Sequence, residues 1–271
     1  MGTAILRRPG GALSVLILAL VLFLALAGPA LAPYDPYDGA FDILLGPSAT
    51  HWLGTDYMGR DVLSRLLHGS TLSVIGALQV VAIGFALGVV PGMLSVFLGR
   101  GFEWGSLRVI DTLIALPSLV FAVAVTALIG NGVSEAMFVV GVLVTPFFYR
   151  VARAAALEVA GQPYLQASVL MGASVWWVVR RHVWHKALPA VSIAVATITG
   201  HSLIVVSSLT FLGIGVQPPE PTWGGLLASD LQYLAQKPYA PVFPSLLIVV
   251  TVAALNLLAD TLRDAQRRRR P

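Results

Sequence analysis

The stretch QPYLQASVLMGASVWWVVRRHVWHKALP, residues 162–189, is a basic island in a chain that is otherwise mostly apolar. Its first part, 164–171, suits a short helix, and Gly172 suits the position that ends one. Ser174 is a favoured N-cap residue for a second helix, which we expect over residues 175–187. The island therefore predicts a helix, a glycine turn and a second helix that project from the rest of the fold.

The composition around the island is that of an integral membrane protein. Of the 271 residues, 57% are hydrophobic and 11% are charged, and the mean hydropathy is +0.83. A soluble core of this size cannot bury so much apolar surface. The chain has no cysteine, which excludes disulfides and thiolate chemistry. Its net charge is +4, but the basic residues cluster beside apolar runs, so no nucleic acid is expected as a partner.

Six uncharged runs are candidates for membrane-spanning helices. The runs cover residues 9–34, 70–99, 112–134, 136–149, 187–219 and 238–259. The fourth run is short, since it rises only about 21 Å in a helix. The second contains Pro91-Gly92, where we expect a kink or a helix end. The fold class predicted is an all-α integral membrane protein with six transmembrane helices.

The distribution of basic residues predicts that both termini are cytoplasmic. In that orientation all of the 17 lysines and arginines except Arg60, Arg65 and Lys237 lie inside. The first run also resembles a secretory signal peptide, with a tail at residues 30–32 that suits cleavage. We expect it to remain as an uncleaved helix, because its apolar part of about 20 residues exceeds the usual signal-peptide length. Cleavage would leave five helices.

The second half of the island places tryptophans among basic residues, and two interpretations of it are open. It can be an interfacial helix, with tryptophans at headgroup level and arginines on lipid phosphate. It can instead belong to a compact projection that docks in a groove of a cytoplasmic partner. We favour docking to a partner.

The island resembles the coupling loop of ABC importer permeases. The pattern of that loop is Glu-Ala-Ala, three residues, Gly, and then a run that ends in Leu-Pro. Here it appears as Gln166-Ala167-Ser168, then Gly172, then Leu188-Pro189. Gln166 replaces the usual glutamate, and His185 stands where many relatives have proline. The departures imply a weaker or different polar contact with the ATPase.

Four further stretches resemble the second permease subunit of the peptide/nickel importer family. They are HWLGTDYMGRDVLSRLLHGSTLS (51–73), DTLIALPSLVFAVAV (111–125), SLTFLGIGVQPPEPTWGGLL (208–227) and LNLLADTLRDA (255–265). The resemblance implies a type I ABC importer permease fold with a cytoplasmic coupling helix. It also implies a location in the cytoplasmic membrane of a bacterium or archaeon.

The domain organisation expected has four parts. These are a first transmembrane helix in 1–34, an extracytoplasmic segment with an amphipathic helix in 35–69, a permease core in 70–265 with the coupling loop at about 150–187, and a basic cytoplasmic tail in 266–271.

The resemblance also implies partners and a mechanism. The partners are a homologous permease subunit, two ABC ATPase subunits, an extracytoplasmic solute-binding protein and membrane lipid. The chain has no G-x-x-x-x-G-K-[ST] phosphate loop, so we expect no cofactor in it and place ATP and Mg on the ATPases. It would form half of a translocation path that works by alternating access. The coupling residues would be Tyr164, Gln166, Ala167, Ser168, Gly172 and Ala173.

Polar residues in the fifth run are candidates for the translocation path. His201, Ser202 and Ser208 lie in apolar sequence, and polar groups at membrane depth usually face protein or a water-filled cavity. The pair Gly200-His201 resembles nickel-type members of the family. We therefore expect a metal or metal-chelate substrate, with His201 as a candidate ligand, while a dipeptide or oligopeptide substrate remains open.

Charged and aromatic residues near the expected outer face are candidates for an outer gate or for contact with the binding protein. They are Asp56, Arg60, Asp61 and Trp223. The alternative for the three charged residues is local pairing, together with Arg65, in an amphipathic helix at the outer interface.

Two other classes of protein compete with a non-catalytic permease. An ion-coupled secondary carrier should show carboxylates at mid-membrane and inverted repeats, and the sequence shows neither convincingly. An intramembrane hydrolase would need His201 with a nearby serine, but the chain has no G-x-S-x-G motif.

Overall fold

The structure is a computed structural model that describes residues 8–130, 132–216 and 218–267. These residues form helices joined by turns, with no β-strand among them. In chain order the helices are α1 Pro9–Leu31, α2 Val62–Leu94, α3 Arg100–Ala115, α4 Ser118–Ile129, α5 Val133–Ala160, α6 Pro163–Leu170, α7 Val175–Phe211, α8 Trp223–Gln232 and α9 Val242–Arg267. A π-helical turn, Val179–Val183, interrupts α7 near its start.

Five of these helices are long and apolar enough to cross a membrane, namely α1, α2, α5, α7 and α9. Helices α3 and α4 meet the same requirement only as a pair, which is bent by 95°. A hydrocarbon layer of about 30 Å needs about 20 helical residues. With the bent pair counted once, the described chain has six candidate spans, which confirms the predicted membrane fold.

The third predicted span, 112–134, is wrong as a single helix. The chain bends between α3 and α4, where Leu116 has an extended backbone with φ −75° and ψ 130°. A following proline, here Pro117, favours that conformation. Helix α3 instead packs across the base of α5, and the hydroxyl oxygens of Ser106 and Tyr149 lie 2.7 Å apart.

The helix at the fourth predicted span is longer than the apolar run 136–149. Helix α5 has 28 residues, which corresponds to about 42 Å. The helix continues past the apolar run through an alanine-rich segment, and acidic side chains of α3 pair with its arginines. Arg153 pairs with Glu103, and Arg150 lies 3.7 Å from Asp111.

The second span begins before the apolar run 70–99, at Val62. Asp61 caps the helix, because its carboxylate accepts a hydrogen bond of 2.8 Å from the backbone N–H of Ser64. The helix continues through Pro91 and ends one turn later, close to the expected break.

The separate amphipathic helix expected within residues 35–69 is not formed. Residues 51–61 form turns and one isolated bridge, and residues 62–69 are the first two turns of α2. Gly54 and Gly59 have φ values of +76° and +74°. A right-handed helix does not accommodate such values, so the chain cannot be helical there.

Helix α7 joins two elements that were predicted to be separate, the second helix of the island and the fifth span. The helix runs through Pro189 without a break. It ends at Phe211, before the predicted end at residue 219, because Gly213 and Gly215 follow with positive φ values. The base of the fifth span is therefore continuous with the island.

The core is built where α2 and α5 approach each other closely. Three glycines of α2, spaced four residues apart, face α5. A Cβ on the middle one, Gly88, would lie 2.6 Å from the carbonyl oxygen of Thr145. Around this contact, side chains of α2, α5 and α7 form the largest buried cluster, which includes Val80, Phe148 and Leu209.

Contacts between distant residues assign the helix ends to two ends of the bundle. Arg8 pairs with Asp264 at 3.3 Å, so α1 begins beside the end of α9. Gln266 Nε2 donates a hydrogen bond of 2.6 Å to the carbonyl oxygen of Pro189, near the base of α7. We call the end of the bundle that contains Arg8, Pro189 and Gln266 the α6 end. We call the opposite end, where α2 begins, the cap end. That the α6 end faces the cytoplasm stays a prediction.

Candidate functional site

Helix α6 and its glycine turn form as the sequence predicts. The helix begins at Pro163, a position where the missing N–H has no partner to lose. Gly172 has a φ of +87°, the left-handed conformation that commonly follows the end of a helix. The backbone N–H of Ala173 donates a hydrogen bond of 3.1 Å to the carbonyl oxygen of Ser168, which closes the turn.

Among the side chains of α6 that the structure describes, Leu165 anchors the helix on the fold. Leu165 is 2% exposed and lies in the main core. Tyr164 in α6 and Met171 in the turn after it are 44% and 81% exposed. The side chains of Gln166 and Ala167, both predicted to contact an ATPase, lie outside the described residues.

An open groove lies beside α6, between the end of α5 and the base of α7. Its volume is about 870 Å³, and its lining includes Ala155, Glu158, Tyr164, Lys186 and Pro189. Tyr164 therefore borders open space on one side, which leaves room for α6 to move.

A cluster of three rings, which we call the aromatic cluster, connects α6 to α7. The hydroxyl of Ser174 accepts a hydrogen bond of 3.3 Å from the N–H of Trp177 and caps α7, as predicted. In the π turn that follows, the His182 ring lies 5.1 Å from the Trp177 ring and 5.5 Å from the Tyr164 ring, centroid to centroid. This cluster was not predictable from the sequence, because a π turn changes which side chains share a helix face.

The structure does not bring the three predicted path residues onto one face. His201 is exposed and Ser208 is partly exposed, on the same side of α7 as the exposed Ile204. Ser202 is fully buried on another side of the helix, and its role in the path stays a prediction. Within the described residues, no group of three His, Asp or Glu side chains that could hold a metal ion forms at His201 or elsewhere.

At the cap end, the predicted charged residues are buried and paired. The Asp56 carboxylate accepts a hydrogen bond of 2.8 Å from Arg60 Nε and lies 3.4 Å from Arg65 Nε. Asp61, besides capping α2, lies 2.9 Å from the His51 ring nitrogen. The charged groups pair with one another, as the alternative interpretation expected, but in turns and at the start of α2.

Long-range hydrogen bonds join residues 35–61 to the segment that contains α8. Arg65 Nη1 donates to the carbonyl oxygen of Pro36 at 2.9 Å, and Arg65 Nη2 donates to that of Pro219 at 3.3 Å. Lys237 Nζ donates to the carbonyl oxygen of Thr55 at 2.7 Å. We call this unit, residues 35–61 and 218–241, the cap.

Burial changes the pKa of three groups in the cap. It raises the pKa of Asp230 to about 6, although the charge of Lys237 acts in the opposite direction. It lowers the pKa of Lys237, against the charges of Asp230 and Asp56. Burial and a 2.8 Å hydrogen bond to Glu220 raise the pKa of Tyr37 to about 12. The pKa changes of these groups were not predictable from local sequence, since their partners are distant in sequence.

Trp223 lies inside the cap, not at an interface. It is 0% exposed, its backbone N–H donates to Ser73 Oγ at 3.0 Å, and its indole N–H donates to Ser70 Oγ at 3.2 Å. Asp56, Arg60 and Asp61 are also buried. None of the four predicted residues can contact a binding protein directly in this structure; they hold the cap together.

Comparison with known proteins agrees with this architecture. Residues 81–270 match the family described as binding-protein-dependent transport system inner membrane component. The chain is 35% identical over 254 residues to the probable D,D-dipeptide transport system permease protein DdpC of Escherichia coli (strain K12), covering 93% of this chain and 85% of the relative.

Two further relatives are similar over more than nine-tenths of this chain. The di/tripeptide transport system permease protein DppC of Pseudomonas aeruginosa is 38% identical over 262 residues, covering 93% of this chain and 85% of its own. The glutathione transport system permease protein GsiD of Pectobacterium atrosepticum is 34% identical over 263 residues, covering 96% and 87%.

Proposed function

The chain belongs to the family of binding-protein-dependent transport system inner membrane components, and on that premise we propose that it carries peptides. It is a multi-pass permease subunit of an ABC importer in the cytoplasmic membrane, and it is not catalytic. Its position as the second permease subunit and the cytoplasmic location of its termini are part of the proposal.

A peptide substrate has better support than a metal. The relatives are named for D,D-dipeptides, di/tripeptides and glutathione. The sequence-based preference for nickel or a metal chelate finds no support in these names. The ion-coupled carrier finds none either. We therefore place peptide import first.

The single observation that carries the coupling proposal is the projecting helix α6 with its left-handed turn at Gly172. A short helix docked in a groove moves as a rigid body. An ATPase dimer can bias the permease only through a contact that differs between two states. We assign that contact to α6, with Tyr164, Ser168, Gly172 and Ala173, and also with Gln166 and Ala167 as the family resemblance implies.

The remaining partners follow from the family. A homologous permease subunit would supply the other half of the path, against the side of α7 that exposes His201 and Ser208. Two ABC ATPases would bind ATP and Mg at the α6 end. A solute-binding protein would dock on the surface of the cap, with the buried charges beneath it.

The test is transport by proteoliposomes that contain the chain with the permease and ATPase subunits that copurify with it. We expect uptake of a labelled di- or tripeptide that requires ATP and the binding protein, and no uptake by the chain alone. Uptake that persists without ATP under an ion gradient would overturn the importer mechanism. ATP-dependent uptake of nickel without peptide uptake would overturn the substrate.

A further inference from the structure

We propose that the aromatic cluster of Tyr164, Trp177 and His182 transmits motion from α6 to α7, with His182 as the positioning residue. The proposal rests on the proposed coupling role of α6. It adds the element through which a displacement of α6 at an ATPase reaches the helix that exposes His201 and Ser208.

The position of His182 suits this role. Tyr164 belongs to the first turn of α6, whereas His182 and Trp177 belong to the base of α7, beyond the glycine turn. The His182 ring contacts both of the others, with its centroid 5.5 Å from that of Tyr164 and 5.1 Å from that of Trp177. Together with the buried Leu165, the Tyr164 contact fixes the orientation of α6 relative to α7.

The chemistry of His182 indicates that its ring shape matters more than its polarity. Its Nε2 atom is buried and has no hydrogen-bond partner among the described residues. A buried polar atom without a partner destabilises a fold, and such atoms in native structures call for an explanation. Packing between two aromatic rings explains why a planar ring occupies this position, and phenylalanine should replace it.

The π turn contains His182 and allows the local geometry of α7 to change there. Val179–Val183 carries the hydrogen-bond pattern that appears mostly as single-turn insertions in α-helices, often at functional sites. Above the turn, α7 continues to Phe211 as one helix, so His201 lies about 28 Å along the same rigid element. The groove beside Tyr164 provides space on one side of α6. A shift of Tyr164 can therefore turn or tilt α7 from its base.

The experiment compares His182→Ala with His182→Phe in the complete importer in proteoliposomes. For His182→Ala we expect peptide uptake per ATP hydrolysed to fall by about tenfold, as expected for a lost coupling energy. His182→Phe should retain the wild-type ratio, because it keeps the ring. Trp176→Ala, at an exposed tryptophan one residue from Trp177, is the matched control and should leave the ratio unchanged.

A second variant keeps the test valid if His182→Ala fails to assemble. Tyr164→Ala removes the same contact from the exposed side of α6 and should lower the ratio to a similar extent. The double variant should be no worse than either single one, because both changes break the same contact. Additive losses, or normal uptake per ATP in Tyr164→Ala, would overturn the proposal.

A separate readout distinguishes failure of this proposal from failure of the coupling role. The chain has no cysteine, so Met171→Cys provides a unique site for a photoreactive maleimide on the exposed tip of the turn. Met171→Cys should crosslink to an ATPase subunit in both the wild-type and the His182→Ala backgrounds. If uptake per ATP is then lowered only in His182→Ala, the result supports the role of the aromatic cluster. Crosslinking with normal uptake per ATP in His182→Ala would overturn the role of the cluster alone. If neither background crosslinks to an ATPase, the coupling role of α6 is overturned.

Discussion

The cap and helix α6 are two projections at opposite ends of one bundle, and they are held in different ways. In the cap, buried charges are paired, and hydrogen bonds connect residues as far apart in sequence as Lys237 and Thr55. Helix α6 is anchored by Leu165 and the aromatic cluster, beside an open groove. The difference suits a cap that stays fixed and an α6 that moves.

The physical basis of the difference is the cost of leaving a buried charge unpaired. Once Asp56, Arg60 and Arg65 are removed from water, each requires its partner, so the cap cannot open in small steps. Helix α6 is held by the apolar Leu165 and by ring contacts, which bury no unpaired charge when α6 and the rings that touch it move together. Substitutions in the cap should therefore change stability, and those around α6 should change coupling.

The largest effect is expected from Asp56→Ala, which leaves two arginines buried without their carboxylate. The free energy of unfolding should fall by about 3–5 kcal/mol. The control is Asp260→Ala, which removes an exposed pair with Arg263 at 2.9 Å and should change stability by about 0–1 kcal/mol. Denaturant unfolding of the purified chain in detergent measures both, and equal effects would contradict a charge-stabilised cap.

Lys237→Met should have the next largest effect. It removes the charge-assisted hydrogen bond to Thr55 and leaves Asp230 without its nearby positive charge, which should lower stability by about 1.5–3 kcal/mol. The chain's other lysine, Lys186, is exposed at the α6 end, and Lys186→Met should stay within about 0.5 kcal/mol. A similar loss for both lysines in the same unfolding assay would argue against the cap contact.

Gly172→Ala tests the turn after α6. A side chain at a φ of +87° is strained by about 1–2 kcal/mol, so amide hydrogen exchange in 163–173 should speed up by roughly 5- to 30-fold. Gly101→Ala, in helix α3 with no atom within 4 Å of the added Cβ, is the control and should slow local exchange or leave it unchanged. Unchanged exchange in Gly172→Ala would show that the turn does not define α6.

The smallest effect near neutral pH is a pH dependence from Asp230. Its pKa in the folded state, about 6, lies above the usual value of about 3.9, so the folded chain binds more protons between these values. Stability should therefore rise as the pH falls through 6, by about 1 kcal/mol between pH 7 and 5, and level off below about 4. Asp230→Asn should remove this dependence in unfolding curves, and an unchanged dependence would assign it to other groups.

Local sequence patterns predicted local features well. Ser174, Gly172 and the apolar runs act within a few residues, so the glycine turn, the N-cap of α7 and the membrane-spanning class of the fold were predictable. The helix ends were less predictable, because α5 continues past its apolar run through residues whose charged side chains contact α3.

The cap was predictable only in part, for the same reason. Pairing of Asp56 with Arg60 is local, but the Arg65 bond to Pro219 spans 154 residues and the Lys237 bond to Thr55 spans 182. No local pattern encodes such contacts. The burial of Trp223 depends on the folding of α8 against α2, so a tryptophan that suits a membrane interface by composition is found in the interior.

The most direct test of the account is Gly172→Pro in the complete importer, because proline fixes φ near −65° and cannot adopt the conformation of this turn. Peptide uptake and ATP hydrolysis are measured together in proteoliposomes, with crosslinking used to check that the subunits assemble. We expect that ATP-dependent uptake is lost while ATP hydrolysis is either uncoupled from transport or lost with it. Normal uptake by the assembled variant would contradict the assignment of α6 as the coupling element.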